Sequence, residues 1–205
     1  MEHYYLEREN PNGFNYENLF IEFVNRFDNA HFVEIGIATG TSAAFMGIEI
    51  YNSGKNIKFD AIDCFHKYHI KDTDIHPTTL ELLSNERIDI VTTNEQEDGG
   101  FDSFKEFIKP VNNIVNPIRE YSVIQSIKYE NESLDMVFID GNHSYDEVIM
   151  DINYWLPKVK QNGILAGHDY TDENSAVRDA VDSIFPKNKI RIDGWCWIIE
   201  KSNLV

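Results

Sequence analysis

Short apolar segments alternate with amphipathic segments along most of this chain, and this alternation constrains the fold more than any other feature of the sequence. Runs bounded by glycine or polar residues predict strands, whereas apolar residues at helical spacing predict helices. The predicted strands are 31–36, 57–64, 116–120, 134–139 and 163–167. The predicted helices are 15–27, 41–51, 78–84, 101–109, 122–129, 176–184 and one that begins near 145 and ends or bends at Pro157.

Strands that alternate with amphipathic helices predict a parallel sheet covered by helices on both faces. Near the end of the chain, 190–192 and 197–199 flank the turn residues Asp193 and Gly194, which indicates a hairpin. We therefore predict an α/β fold: a doubly wound, mostly parallel, Rossmann-like sheet with an antiparallel C-terminal hairpin strand.

Neither a repeat nor a linker divides the sequence, so we predict a single domain over 1–205. Residues 1–29 form an N-terminal helical segment in this prediction. The stretch 65–110 is polar and irregular, and we expect it to be an insertion that serves as a lid or binds the substrate.

The charge balance of the chain disfavours a nucleic-acid partner. Lys and Arg number 18 against 35 Asp and Glu, which gives a formal net charge of −17. Such a surface repels phosphate backbones, so we expect no nucleic-acid partner.

No apolar run is long enough to span a membrane, and the first residues lack the pattern of a secretory signal. We therefore expect no membrane partner. Because the chain has only Cys64 and Cys196 and no disulfide framework, we also expect a cytoplasmic protein.

The first candidate site is the glycine loop that follows the strand at 31–36. Gly36 and Gly40 allow a tight turn and a close approach to a ligand. The spacing differs from a dinucleotide fingerprint, because Ala38 stands where the middle glycine belongs, and no Lys follows to make a phosphate-binding P-loop. The acidic Glu34 beside the loop suits a positively charged ligand. The alternative is an ordinary turn between a strand and a helix.

Acidic residues at the ends of three further predicted strands are the other candidates. Asp63 can accept hydrogen bonds from ribose hydroxyls, although many strands end in Asp. Asp140 and Asp169 reach one ion if their strands are neighbours, because adjacent strands lie about 4.8 Å apart. With His168 or water they suit Mg²⁺, and His143 is a candidate general base. Alternatively, both histidines only anchor loops and cap helices.

Three tryptophans lie outside these candidate sites. They are Trp155, Trp195 and Trp197. We expect them in the core or against the sheet rather than in a stacking platform, because large aromatic side chains dominate core packing.

Together, these motifs resemble the class I S-adenosylmethionine-dependent methyltransferases. The resemblance is carried by FVEIG at 32–36, GTS at 40–42, AID at 61–63, VFIDGNHSY at 137–145 and GHDY at 167–170. Within the class, the chain is most similar to small O-methyltransferase-like proteins that carry an IDG-x-HSY segment and a GHDY segment. The resemblance spans roughly residues 30 to 200.

The resemblance implies a role for each matching residue. Glu34, Gly36 and Gly40 would line the methionine part of S-adenosylmethionine, Asp63 would bind its ribose, and Cys64 and Ser122 would lie near its adenine. The full implied cofactor set is Glu34, Gly36, Ile37, Gly40, Thr41, Ser42, Asp63, Cys64, Ser122, Asp140 and His143.

The resemblance also implies catalytic residues and a metal. The catalytic candidates are His143, Asp140 and Asp169, and the candidate Mg²⁺ ligands are Asp140, His168 and Asp169. Two departures put the metal in question: Asn142 replaces an expected Asp, and His168 stands where a second carboxylate often lies.

The resulting hypothesis is transfer of a methyl group from S-adenosylmethionine to a hydroxyl of a small molecule, such as a sugar or a natural-product intermediate. A module that binds the cofactor without catalysis is one alternative. A nicotinamide-dependent oxidoreductase is the other, and the missing middle glycine disfavours it. The sequence leaves the oligomeric state open.

Overall fold

Seven strands form one sheet in a computed structural model that describes residues 1–4, 14–65 and 100–204. The strands are β1 (Ala30–Ile35), β2 (Ile57–Asp63), β3 (Val115–Arg119), β4 (Leu134–Ile139), β5 (Val159–Gly167), β6 (Arg191–Asp193) and β7 (Cys196–Glu200). The helices in the described residues are α1 (Glu17–Arg26), α2 (Thr41–Ser53), α3 (Phe101–Phe107), α4 (Ser122–Ser126), α5 (Tyr145–Trp155) and α6 (Ser175–Ile184). Short 3-10 turns cover Lys109–Val111, Leu156–Lys158, Lys187–Lys189 and Lys201–Leu204.

The strand order is β3-β2-β1-β4-β5-β7-β6, which confirms the predicted doubly wound fold. The first five strands in this order are parallel, and β7 pairs antiparallel with both β5 and β6. From β1 the chain moves outward to β2 and β3, and it then returns to place β4 on the other side of β1. This reversal makes the carboxyl ends of β1 and β4 the expected ligand crevice.

The central strands are buried on both faces, as a parallel sheet requires. Alternate residues of β1 show this, because Phe32 packs with α1 and α2 whereas Val33 packs with α5 and α6. Trp155 and Trp197 lie in the second of these cores, as predicted. The prediction was wrong for Trp195, whose side chain is 47% exposed. It lies in the turn between β6 and β7.

The start of β5 differs from the sequence prediction, whereas the end of α5 agrees with it. Strand β5 begins at Val159 rather than 163, and its register against β4 shifts between Leu134 and Met136. The polar residues 160–162 lie in this irregular part of the strand and conceal it in the sequence. Helix α5 ends at Trp155 and passes into a 3-10 turn at Pro157, as predicted.

Some predictions fall outside the described residues. The helix at 78–84 and most of the 65–110 insertion are among them. Of that insertion the structure describes Phe65 and the end that contains α3. Among the helices described, none combines the length and the apolar character needed to cross a bilayer.

Gly36 and Gly54 allow the backbone requirement of the glycine loop to be tested. Both have positive φ, of 84° and 66°, but only Gly36 is crowded: an added Cβ would lie 2.0 Å from the Asp140 carbonyl oxygen. We expect Gly36→Ala to lower the free energy of unfolding by more than about 3 kcal/mol, because strain and overlap add. Gly54→Ala should cost only about 1–2 kcal/mol. Urea unfolding measures both, and equal costs would contradict this assignment.

Candidate functional site

The glycine loop crosses the carboxyl ends of β1 and β4. Gly36 donates its backbone N–H to the Ile62 carbonyl oxygen at 2.9 Å, and the Asp140 N–H donates to the Ile35 carbonyl at 2.8 Å. These bonds link the loop to β2 and β4. Gly40 ends the loop with φ of 87°, and α2 then begins with the buried residues Thr41 and Ser42. The predicted glycine-loop residues are therefore brought to one crevice.

Glu34 is the most unusual group in this crevice. Its side chain is 0% exposed, and neither carboxylate oxygen has a partner in hydrogen-bond geometry among the described residues. Burial raises the pKa of Glu34 to about 8; Ser42 lowers it in part, and Asp140 and Asp63 raise it further. An unpaired buried carboxyl group costs stability, so this position calls for a cationic or hydrogen-bonding ligand.

Asp63 at the end of β2 holds the glycine loop in place. Its Oδ2 accepts the backbone N–H groups of Ile37 at 2.8 Å and Ala38 at 3.0 Å, and its Oδ1 accepts that of Phe65 at 2.7 Å. A carboxylate offers about four acceptor positions, so about one remains for a ligand hydroxyl. Cys64 follows Asp63 directly and is half-buried.

Asp140 at the end of β4 is bound by a residue that the sequence analysis did not identify. Tyr16, which precedes α1, donates its hydroxyl to Asp140 Oδ2 at 2.9 Å. The Tyr16 ring lies 4.9 Å from that of Phe138 and 4.8 Å from that of His168. Burial raises the pKa of Tyr16, and Asp140 and Glu34 raise it further, so the phenol stays protonated and can donate. No sequence motif marks Tyr16, because the contact joins residues far apart in the chain.

His143 and Asp169 form a pair at the mouth of the crevice. His143 Nε2 lies 2.9 Å from Asp169 Oδ2, and the His143 side chain is half-exposed. Asn174 donates its amide to Asp169 Oδ1 at 2.9 Å, and Asp169 adopts a strained φ of 60°. The hydrogen bond to Asp169 raises the pKa of His143, and this effect exceeds the opposing effect of burial. The arrangement is that of a base held by an orienting carboxylate.

His168 lies between the two carboxylates. Its Nδ1 is 3.7 Å from Asp140 Oδ1 and 3.5 Å from Asp169 Oδ2, and its Nε2 is 3.2 Å from Asn15 Oδ1. Burial disfavours a charge on His168, but Asp140 and Asp169 outweigh it and raise its pKa to about 9. Burial would raise the pKa of Asp169, whereas His143 and His168 lower it well below its ordinary value.

The donor set around Asp140 does not fit the predicted Mg²⁺ site well. Asp140, His143 and Asp169 each offer an atom within 4.8 Å of the others, but the His143 nitrogen already binds Asp169. His143 and His168 would supply nitrogen rather than oxygen ligands beside the two carboxylates. Mg²⁺ prefers an oxygen-rich octahedral shell, so we derive no step through it.

Ser122, at the start of α4, is bound to buried groups. Its hydroxyl donates to Asp151 Oδ1 at 2.5 Å and accepts from Trp155 Nε1 at 2.8 Å. Burial raises the pKa of Asp151 to about 7; Ser122 lowers it in part, and Glu147 raises it. Both hydrogen bonds of the Ser122 hydroxyl are therefore made within the protein. Any contact between Ser122 and an adenine edge would have to come from its backbone. Sequence analysis missed Asp151 because it occupies an ordinary position on α5.

The buried Glu34 carboxyl makes stability depend on pH. The unfolded chain ionises Glu34 near its ordinary pKa of 4.5, whereas the folded ligand-free chain keeps the proton to about pH 8. Stability is therefore lost as pH rises between these values. We expect Glu34→Gln to raise the free energy of unfolding by about 2–4 kcal/mol at pH 8.5 and by much less at pH 5. Urea unfolding at both pH values measures this.

The exposed residue Glu173 supplies the matched control for this comparison. Glu173→Gln should change the unfolding free energy by less than about 0.5 kcal/mol at either pH. A Glu34→Gln variant that gains no stability at high pH would show that the carboxyl is not buried without a partner.

Known proteins resemble this chain over the part that contains the candidate site. A family model described as a methyltransferase domain matches residues 33–170, and no curated protein matches in sequence. The O-methyltransferase NovP is 16% identical with a TM-score of 0.59, over 90% of this chain and 78% of NovP. Calicheamicin methyltransferase CalS11 is 10% identical with a TM-score of 0.60, over 91% of this chain and 77% of CalS11. SAH-bound methyltransferase PaMTH1 of Podospora anserina is 13% identical with a TM-score of 0.56, over 90% and 76%.

At these identities the solved structures establish the fold, whereas the family match establishes membership, because it extends over more than half of the chain. The matched range contains the glycine loop, Asp63, Asp140 and the His143–Asp169 pair. The chain has the class I methyltransferase fold and belongs to the methyltransferase-domain family.

Proposed function

We propose that this chain transfers a methyl group from S-adenosylmethionine to a hydroxyl of a small molecule, either a sugar or a natural-product intermediate. The observation that carries the proposal is the buried Glu34 carboxyl at the reversal point of the sheet, whose oxygens have no partner in hydrogen-bond geometry among the described residues. S-adenosylmethionine has an ammonium group and a sulfonium centre, and either positive charge would pair with an ionised carboxylate there. Family membership supports the reaction class.

The glycine loop and the start of α2 would hold the methionine part. This group of residues comprises Glu34, Gly36, Ile37, Gly40, Thr41 and Ser42. Gly36 supports this assignment because its missing side chain allows the loop to lie directly against the Asp140 backbone. Asp63 would accept one ribose hydroxyl at its remaining position, while Cys64 and the Ser122 backbone would lie beside the adenine.

When bound, S-adenosylmethionine supplies a methyl group on a positively charged sulfur, and the reaction forms a C–O bond as the C–S bond breaks. The chain's own part is to orient the acceptor and remove its proton. His143 donates Nε2–H to Asp169, which leaves the Nδ1 lone pair to accept the hydroxyl proton. Asp169 stabilises the imidazolium that forms, and Tyr16 fixes Asp140 beside it.

A sugar hydroxyl is the acceptor that one structural relative suggests. CalS11 is described as a TDP-rhamnose 3′-O-methyltransferase, and the apo structure of that protein has a TM-score of 0.54 with this chain at 8% identity. The half-exposed His143 at the crevice mouth supports access by a bulky polar acceptor rather than by a small buried one.

Cofactor binding is tested by calorimetric titration with S-adenosylmethionine. We expect saturable binding by the unmodified chain, and an affinity about 10–100-fold weaker for Glu34→Gln, because a charged hydrogen-bond partner is lost. Asp63→Ala should also weaken binding, whereas Glu173→Gln should not. Titrations with Mg²⁺ and with EDTA should agree. No binding to the folded protein would reject the proposed function, and dependence on Mg²⁺ would restore Asp140 and Asp169 as metal ligands.

Catalysis is tested at His143, which the resemblance places near the cofactor but whose Nε2 is held by Asp169 rather than by the glycine loop. We expect His143→Gln to lower kcat by about 10²- to 10⁴-fold, because the proton acceptor is lost, while the affinity for S-adenosylmethionine falls by less than about threefold. The control is His31→Gln, since His31 binds Asp60 near the other end of the sheet. Steady-state kinetics and calorimetry give the two readouts. An active His143→Gln variant would remove His143 as the base, and cofactor binding without turnover across acceptors would favour the non-catalytic module.

A further inference from the structure

Trp195 is an exposed aromatic side chain that contacts the candidate site through His168. Its side chain is 47% exposed, and its ring centroid lies 6.0 Å from that of His168. Trp155 and Trp197, by contrast, are 0% and 1% exposed. Trp195 therefore contributes little to the core, and its indole lies beside His168, whose Nδ1 is 3.5 Å from Asp169 Oδ2.

The backbone holds Trp195 firmly in this place. Trp195 occupies the second central position of the turn that joins β6 and β7, and Gly194 before it takes the positive φ of 58° that the turn requires. The Trp195 carbonyl accepts the backbone N–H of Tyr170 at 2.9 Å, which joins the turn to the segment that carries Asp169. Turns of this kind favour small and polar residues, so a tryptophan here has no local folding role.

The groups around His168, beside the indole, are polar and suit several hydroxyls at once. The exposed Asn15 side chain lies beside His168, and the His143–Asp169 pair lies on the other side of that residue. Building on the proposed function, we propose that Trp195 determines acceptor specificity by stacking against the C–H face of a sugar ring whose rim hydroxyls meet Asn15, His143 and Asp169.

This combination of groups favours a sugar over an aromatic acceptor. A saturated sugar ring has an apolar C–H face and hydroxyls around its edge, so it matches a rigid aromatic surface bordered by polar groups. A planar phenol or catechol would also stack on an indole. It would, however, leave most of the surrounding polar groups without partners, and unpaired polar groups discriminate strongly between ligands.

The test begins with direct binding, which does not require turnover. Acrylamide quenching of tryptophan fluorescence should report mainly Trp195, because the other two tryptophans are buried. With S-adenosylhomocysteine present, a sugar that stacks on Trp195 should reduce quenching. The probes are TDP-rhamnose, a panel of methyl hexopyranosides and catechol. We expect at least one sugar to protect Trp195 at lower concentration than catechol does, and protection by no sugar would overturn the proposal.

Kinetics then separates acceptor binding from catalysis. For a sugar that the chain methylates, we expect Trp195→Ala to raise the acceptor KM by about tenfold or more, because stacking energy is lost before the chemical step. The kcat should stay within about twofold of that of the unmodified chain. Trp195→Phe should be intermediate. The control is Tyr51→Ala, which removes an equally exposed aromatic from α2 and should change neither constant. An unchanged KM in Trp195→Ala would overturn the proposal.

The affinity for S-adenosylmethionine distinguishes failure of this inference from failure of the proposed function. Trp195→Ala should bind S-adenosylmethionine as the unmodified chain does, because Trp195 lies on the acceptor side. If the unmodified chain binds S-adenosylmethionine and methylates catechol but no sugar, the specificity proposal is wrong while methyl transfer stands. If the chain does not bind S-adenosylmethionine at all, the proposed function itself fails.

Discussion

The close approach of Gly36 to the Asp140 backbone is the constraint on which the candidate site depends. An added Cβ at Gly36 would lie 2.0 Å from the Asp140 carbonyl oxygen, so only glycine allows the loop after β1 to cross the end of β4. This crossing brings the Asp140 backbone against the loop that follows Glu34. Asp63 then fixes the loop from the β2 side through two backbone N–H groups. Three strand ends are thereby tied to one turn.

The two ends of the candidate site differ in how their carboxylates are compensated. On the proposed acceptor side, Asp169 faces His143 and His168, so its negative charge is compensated within the protein. On the proposed cofactor side, Glu34 faces no cation among the described residues, and burial keeps it protonated near neutral pH. A positively charged ligand is therefore needed on one side only. Asp140 lies between the two ends and is held by the Tyr16 hydroxyl.

Most of the sheet and the strand-end residues could be predicted from the sequence, because both depend on local patterns. Apolar periodicity identified the central strands, and Glu34, Asp63 and Asp140 were found because carboxyl strand ends meet at one edge. Contacts over long chain separations could not be found in this way. Tyr16 reaches Asp140 across 124 positions, which no local pattern records.

The misplacement of Trp195 in the core has a different origin. Residue type alone favours burial of a tryptophan, and only the turn geometry of the hairpin exposes it. Ser122 illustrates a third limit, since its position beside the crevice was predicted but the commitment of its hydroxyl to Asp151 and Trp155 was not. Whether a side chain faces a ligand or the protein depends on its neighbours in three dimensions.

A comparison of two buried carboxylates on neighbouring strands strengthens the functional assignment. Asp60 on β2 accepts hydrogen bonds from Asn116 at 2.7 Å and Tyr129 at 2.6 Å, and it lies 2.8 Å from His31 Nε2. Burial would raise the pKa of Asp60, but these partners lower it.

The same sheet therefore provides full hydrogen bonding for a buried carboxylate whose role is structural. Glu34 lies on the adjacent strand, paired in register with Ala61 directly after Asp60, and it has no such partner among the described residues. Filling its position with an apolar residue would remove the cost of an unpaired buried group. That cost falls at the reversal point of the sheet, beside residues with strained backbones such as Ala38 and Asp169. Unfavourable features concentrated in this way are typical of a site shaped for a ligand rather than for stability.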